Sequence, residues 1–336
     1  MRRIRYFLVF LFLIGLAGFV TGFGACKATA AVDVKTPVQE EMQTTGQKKS
    51  CPPEDSENDC PTTFGPIITD TAVPIDKGKF AIQPTFGMSF LTAAFNKNWQ
   101  RVSAGGDFKS FGMSWKFTYG LINNLEVFVV VPYVHNWADN LDEPGPGGER
   151  SSSSGSLGDI NLTFKYRLLE ETETRPTVTF LFSPTFPSSR LRSLSPSRLG
   201  TDVTGGGAYV FTTGFNVSKY VKPFILYGNL WYSMQTAYTE FSERVYPRDF
   251  VTVNLAAEYP ITKKWVALLE LTSFWDGGRL FGHKANTPPG ALLSILPGIE
   301  FMATKKFSLA LGVNVDLVGK RSEAAVTPVL SMVYAF

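Results

Sequence analysis

Ser110-Phe111-Gly112-Met113-Ser114-Trp115-Lys116-Phe117-Thr118-Tyr119-Gly120-Leu121 sets large apolar residues at every odd position and small or polar ones at every even position. A period of two marks a β-strand whose two faces meet different surroundings. The even face is made of Gly, Ser and Thr with one Lys, which is too small and mild for the water-facing side of a sandwich. It suits a lumen, with the odd face turned to lipid.

The same alternation recurs down the chain. Before it come Phe80, Ile82, Pro84, Phe86, Met88 and Phe90 on one parity. After it come Leu125 to Tyr133, Ile160 to Leu168, Val178 to Phe186 and Tyr209 to Val217. Residues 224–235 are apolar on both parities, and further segments cover 250–259, 265–275 and 291–302. Phe307 to Leu317 and Pro328 to Phe336 complete twelve. Each runs to about 10 residues, the length a tilted strand needs to cross a bilayer. The predicted fold is an all-β transmembrane antiparallel barrel of about 12 strands over 79–336. Short connections near 122–124, 169–175, 219–223, 260–264 and 303–306 alternate with long ones, the last near 318–326. Short periplasmic turns and long outer loops would place both barrel termini in the periplasm.

Composition agrees. Of the 336 residues only 18% are charged, while 44% are hydrophobic and 14% aromatic. Mean hydropathy is nevertheless +0.02, as expected when apolar residues occupy every second position. One apolar run is long, Tyr6 to Val20, and it follows Arg2, Arg3 and Arg5. That is the layout of a signal peptide, predicted over 1–30 with Ala28-Thr29-Ala30 as the cleavage site. Phe23-Gly24-Ala25-Cys26 offers lipoprotein-type processing as an alternative. Loss of residues 1–30 removes Arg2, Arg3, Arg5 and Lys27 and no acid, so a net +3 becomes −1. Nothing in that balance calls for nucleic acid. Cys51 and Cys60 remain and predict a disulfide in an exported chain. Two His residues give no basis for a zinc site, and no cofactor is expected.

Residues 31–78 form an irregular segment before the first strand. Within it Phe64, Ile67, Ile68, Asp70 and Val73 belong to a stretch, 62–78, that is apolar without strand or helix periodicity. It needs a partner surface, and a twelve-strand barrel, below the size that leaves an open aqueous channel, offers one. The segment is expected to enter the lumen as a partial plug. Charges within the strands all take the inward parity: Lys116, Glu126, Asp159, Lys165, Arg167, Glu258, Glu270, Glu300 and Asp316. The cause is the cost of a charge facing lipid, about 2–4 kcal/mol for Arg or Lys at the midplane. With Phe128 and Trp231 they form the predicted pore lining, net negative and so unfavourable to anions. Glu126 should meet Lys165 or Arg167 on the next strand.

Three blocks resemble a known family. Gly158-Asp159-Ile160, continuing through Phe164-Lys165-Tyr166-Arg167, is similar to a strand of the phenol meta-pathway degradation family. Thr69-Asp70-Thr71 before Gly78-Lys79-Phe80, and Leu199-Gly200-Thr201, are similar to its other blocks. The closing Val333-Tyr334-Ala335-Phe336 resembles the C-terminal aromatic signal of outer-membrane barrels, which implies engagement of the barrel-assembly machinery through Tyr334 and Phe336. The family resemblance implies an outer-membrane channel for small hydrophobic or aromatic compounds, set in lipid and lipopolysaccharide, rather than an enzyme. A structural or adhesive barrel is the alternative. A lipid hydrolase is a third reading, but His135 and His283 stand in no nucleophile motif.

Overall fold

The computed structural model describes residues 63–145, 147–189, 194–240, 243–282 and 284–336. The predicted signal peptide, Cys51, Cys60 and His283 lie outside the described residues.

Twelve long strands follow one another: β1 (Phe80–Phe95), β2 (Asp107–Ile122), β3 (Leu125–Asp139), β4 (Ile160–Leu169), β5 (Thr177–Phe186) and β6 (Val210–Val221). Then come β7 (Phe224–Gln235), β8 (Phe250–Pro260), β9 (Trp265–Asp276), β10 (Gly290–Thr304), β11 (Phe307–Lys320) and β12 (Ser322–Ala335). Each pairs antiparallel with its neighbours, and β12 returns to β1 through Ala81↔Ala335, Thr85↔Ser331 and Phe90↔Val326. The amide of Phe336 donates to the carbonyl of Phe80 at 2.8 Å and seals the seam. A closed ladder leaves no edge strand, which is the condition for placing a sheet in hydrocarbon.

The quoted alternation sorts the two faces. Trp115, Phe117, Tyr119 and Leu121 are exposed on the outside, as are Phe164, Tyr166 and Leu168 on β4 and Leu311, Val313 and Leu317 on β11. The opposite parity is half-buried to buried, down to 0% exposure for Glu258 and Asn216 and 1% for Lys165. Where β7 is apolar on both parities, Ile225 and Tyr227 turn in while Leu226, Leu230 and Tyr232 turn out.

Two expectations need correction. The long connection near 318–326 does not exist: β11 and β12 join through Arg321 alone, with φ 50°. Ala324 and Ala325 hid the strand because the packing there is on the inside, Ala324 clustering with Ala93 and Phe95. Asp159 also lies outside its strand, one residue before β4. Its carboxylate accepts from the amides of Ser189 (3.1 Å) and Gly206 (2.7 Å), so it ties both ends of the long β5–β6 connection.

The long connections carry structure of their own. Ser152–Leu157 continues the line of β4 along β3. Strands Tyr238–Glu240, Glu243–Pro247, Arg279–Phe281 and Lys284–Thr287 form a separate sheet over the β7–β8 and β9–β10 connections. At the short-turn end, Lys219 reaches Glu171 at 3.3 Å. Burial pushes the Glu171 carboxyl above its ordinary range, against the downward pull of the Tyr220 amide and the Lys219 ammonium.

Candidate functional site

Residues 63–79 have no helix and no ladder, so their N–H groups need other acceptors. The wall supplies them. Phe64 donates to Glu300 Oε1 (3.2 Å), beside the Thr63 hydroxyl on Oε2 (2.7 Å). The amides of Ile67, Ile68 and Thr69 all converge on the Glu270 carboxylate, at 2.7, 3.1 and 2.7 Å. Asp70 donates to Asn229 Oδ1 (2.9 Å), Ala72 to Ser218 Oγ (2.8 Å) and Ile75 to Glu126 Oε2 (2.7 Å). Pro66 and Pro74 have no N–H to place. The segment therefore crosses the lumen from β10 and β9, past β7 and β6, to β3, and reaches the wall at β2. There Gly78 donates to the Gly120 carbonyl at 2.8 Å. A Cβ on Gly120 would stand 2.0 Å from the Asp76 carbonyl, so only glycine allows this approach.

Charge is arranged as a chain of four. Lys116 Nζ meets Asp70 at 3.1 Å, Asp70 meets Lys165 at 3.2 Å, and Lys165 meets Glu126 at 2.7 Å. Lys165 adds a bond to the Thr71 carbonyl (2.9 Å), and Asn216 Nδ2 adds one to Asp70 (2.8 Å). The chain is neutral, which is the condition for holding four charges in a buried place. Arg167 stays apart at the short-turn end, donating to Asn124 Oδ1 at 2.7 Å. Glu258 accepts from Tyr227 Oη at 2.9 Å, and among the described residues its second oxygen has no hydrogen-bond partner. Asp316 lies inward near the far end of β11, bonded to Ser294 Oγ (2.7 Å) and the Ala325 amide (2.8 Å).

Between the segment and the wall from β1 to β7 lies a cavity of about 410 Å³. Its apolar lining is Phe64, Ile67, Ile68, Phe128, Val130, Leu181 and Trp231. Its polar lining is mostly neutral: Gln83, Thr85, Ser114, Asn161, Thr163, Ser183 and Thr212, with Lys116 and Asp70 as the charged members. Lys116 Nζ stands 4.1 Å from the Phe128 ring centroid. Trp231 is fixed by its indole N–H on Asn216 Oδ1 at 2.8 Å.

The structure thus gathers Phe64, Ile67, Ile68, Asp70, Lys116, Phe128 and Trp231 at one cavity, and places Glu126, Glu270 and Glu300 under the segment. Val73 lies on the segment beyond it. Asn216, Ser218 and Asn229, not among the expected site residues, also bond the segment. Their one signal was inward parity, shared with every small polar residue of the wall. His135 stacks on Trp137 on the outward face, 4.2 Å between centroids. Glu126 faces Lys165 in register, the neighbour predicted for it.

No family model matches the chain, and no curated relative matches it; the family resemblance rests on the blocks quoted above. Among solved structures, an outer membrane channel from Pseudomonas putida F1 superposes with a TM-score of 0.66. It is 14% identical over 81% of this chain and 100% of its own. The transport unit of the autotransporter AIDA-I from Escherichia coli gives 0.44 at 11% identity, covering 77% and 91%. The CymD monoaromatic hydrocarbon channel gives 0.37 at 10%, covering 78% and 89%. The last two scores carry no argument. The first is a likeness of fold: a closed twelve-strand barrel of the kind found in an outer membrane channel.

Proposed function

We propose that this chain is an outer-membrane channel for passive entry of small hydrophobic or aromatic compounds. One observation carries the reading. The cavity is walled by Phe64, Phe128, Trp231 and Ile68, side chains that an aqueous sugar pore would not need. The outward apolar band supports a membrane location, and the short turns beside both barrel termini support a periplasmic side. In this reading residues 1–30 direct export, the Cys51–Cys60 bridge closes a periplasmic loop, and residues 63–78 act as a partial plug. Lipid, lipopolysaccharide and the assembly machinery at Tyr334 and Phe336 are the proposed partners.

The test is uptake into liposomes of a small aromatic solute, a sugar and an amino acid, with protein-free liposomes as baseline. Selective passage of the aromatic is the expected result. Passage of all three would mean a general pore, and passage of none would mean a structural barrel. For the plug, limited proteolysis of the folded protein should spare residues 63–78 while cutting residues 31–50. Equal cleavage of the two stretches would sink it.

A further inference from the structure

Counting inward residues predicts a negative lumen, but the cavity does not face most of those acids. Glu126, Glu258, Glu270 and Glu300 are each 3% exposed or less. Three of them are turned toward the amides of the crossing segment. The charges that line the cavity are Asp70 and Lys116. Asp70 is fully engaged, accepting from Lys116, Lys165 and Asn216. Lys116 is not. An ammonium has three donors, and among the described residues its one hydrogen-bond partner is Asp70. Its side chain is also the most open of the four-charge chain, at 24% against 11% for Asp70 and 1% for Lys165.

Further donors sit beside it. Gln83 is the direct cross-strand partner of Lys116, and Ser114 faces Thr85 one pair away. The Gln83 amide gives one N–H to Ser331 at 3.1 Å and has a second to offer. One end of the cavity therefore keeps unspent donors, two on Lys116 and one on Gln83, beside the Lys116–Asp70 pair. The rest is an apolar slot between Phe128, Trp231, Ile68 and Leu181. A cation entering here would find the Asp70 carboxylate already shared between two ammonium groups, and a neutral ring would leave two Lys116 N–H donors without an acceptor.

We propose that this cavity binds small aromatic carboxylates, the ring against Phe128 and Trp231 and the carboxylate on the Lys116 ammonium, with Gln83 as second donor. The volume suffices, because an apolar cavity of about 150 Å³ already admits a benzene ring. The proposal rests on the channel reading and narrows its solute class.

Equilibrium binding separates the two. The full chain in detergent is titrated calorimetrically with sodium benzoate and with benzyl alcohol, a neutral ring of the same size, at neutral pH. Benzoate should bind at least about tenfold tighter, the value of one charge-assisted hydrogen bond. The paired change Lys116→Met with Asp70→Asn removes one charge of each sign and should bring the two ligands to parity, while Lys116→Arg should keep the preference. Heat-modifiable mobility in gels reports that each variant folds. If the paired variant does not fold, wild type and Lys116→Arg decide the matter. Equal affinities in wild type, or a preference that survives the paired change, would overturn the proposal. Binding of benzyl alcohol without preference for benzoate overturns this inference alone and leaves the channel reading standing. Binding of neither, together with no uptake of aromatics by liposomes, overturns both.

Discussion

The two halves of the barrel interior solve the same problem in opposite ways. On β8, β9 and β10 the inward polar groups include the carboxylates Glu258, Glu270 and Glu300, and two of these take their hydrogen bonds from the crossing segment. On β12 and β1, and on β4 to β7 toward their long connections, the inward groups are hydroxyls and amides that bond to each other along the wall, while Lys165, Asn216, Ser218 and Asn229, further along β4, β6 and β7, bond the segment. Thr163 meets Ser183 at 2.6 Å, Ser89 meets Thr327 at 2.7 Å, and Thr212 meets Ser233 at 2.7 Å. The first half is incomplete without the segment, because a buried carboxylate needs donors. The hydroxyl and amide stretch of the second satisfies itself, and the cavity opens beside it. The difference teaches that buried acids draw the segment onto one side of the wall, and that the cavity opens where the wall's hydroxyls and amides satisfy one another.

The coarsest way to break this comparison is to break the register beneath it. Phe117→Arg puts a charge on the lipid face at a cost of about 2–4 kcal/mol, and the heat-modifiable folded band should be lost or much reduced. Normal assembly would refute the facing assigned to β2. Glu270→Leu acts on the segment and not on assembly of the barrel, because it orphans three amides. Each unsatisfied donor costs about 1–3 kcal/mol, so the segment should leave the wall and residues 63–78 should become protease-sensitive while the barrel persists. Continued protection would show that the carboxylate is not the anchor.

Gly120→Ala is expected to be milder. The new methyl collides with the Asp76 carbonyl, and overpacking of this kind costs about 1–3 kcal/mol. Hydrogen exchange at the Gly78 amide should accelerate, and unchanged protection would remove the close approach from the account. The smallest effect is expected from the hydroxyl and amide stretch. Ser183→Ala should cost only about 1 kcal/mol in unfolding, because Asn161 retains Thr185 at 2.9 Å. A loss as large as that of Glu270→Leu would erase the contrast between the halves.

Much of the fold could be read from the chain. Trp115, Phe117 and Tyr119 declare an outward face with no reference to distant residues, because alternation is a local property. The inward charges followed from the same parity, and even the pairing of Glu126 with Lys165 needed only the assumption that consecutive strands are neighbours. The join at Arg321 was hidden because Ala324 and Ala325 are too small to mark a face. Asp159 shared the strand's parity yet serves the connection beyond it. The segment's apolar character and its need for a surface were legible, and its acceptors were not.

What the sequence determined alone is therefore the barrel and its two faces, since one lipid-facing residue in two is imposed by the solvent and recorded every second position. What only the tertiary structure decided is the economy of the interior. Glu270 and Ile67 lie 203 residues apart, and Asp70 is 146 residues from Asn216. No local pattern specifies which inward acid will be spent on a backbone amide and which cation will keep its donors free. That is settled by the path of one irregular segment through a closed wall.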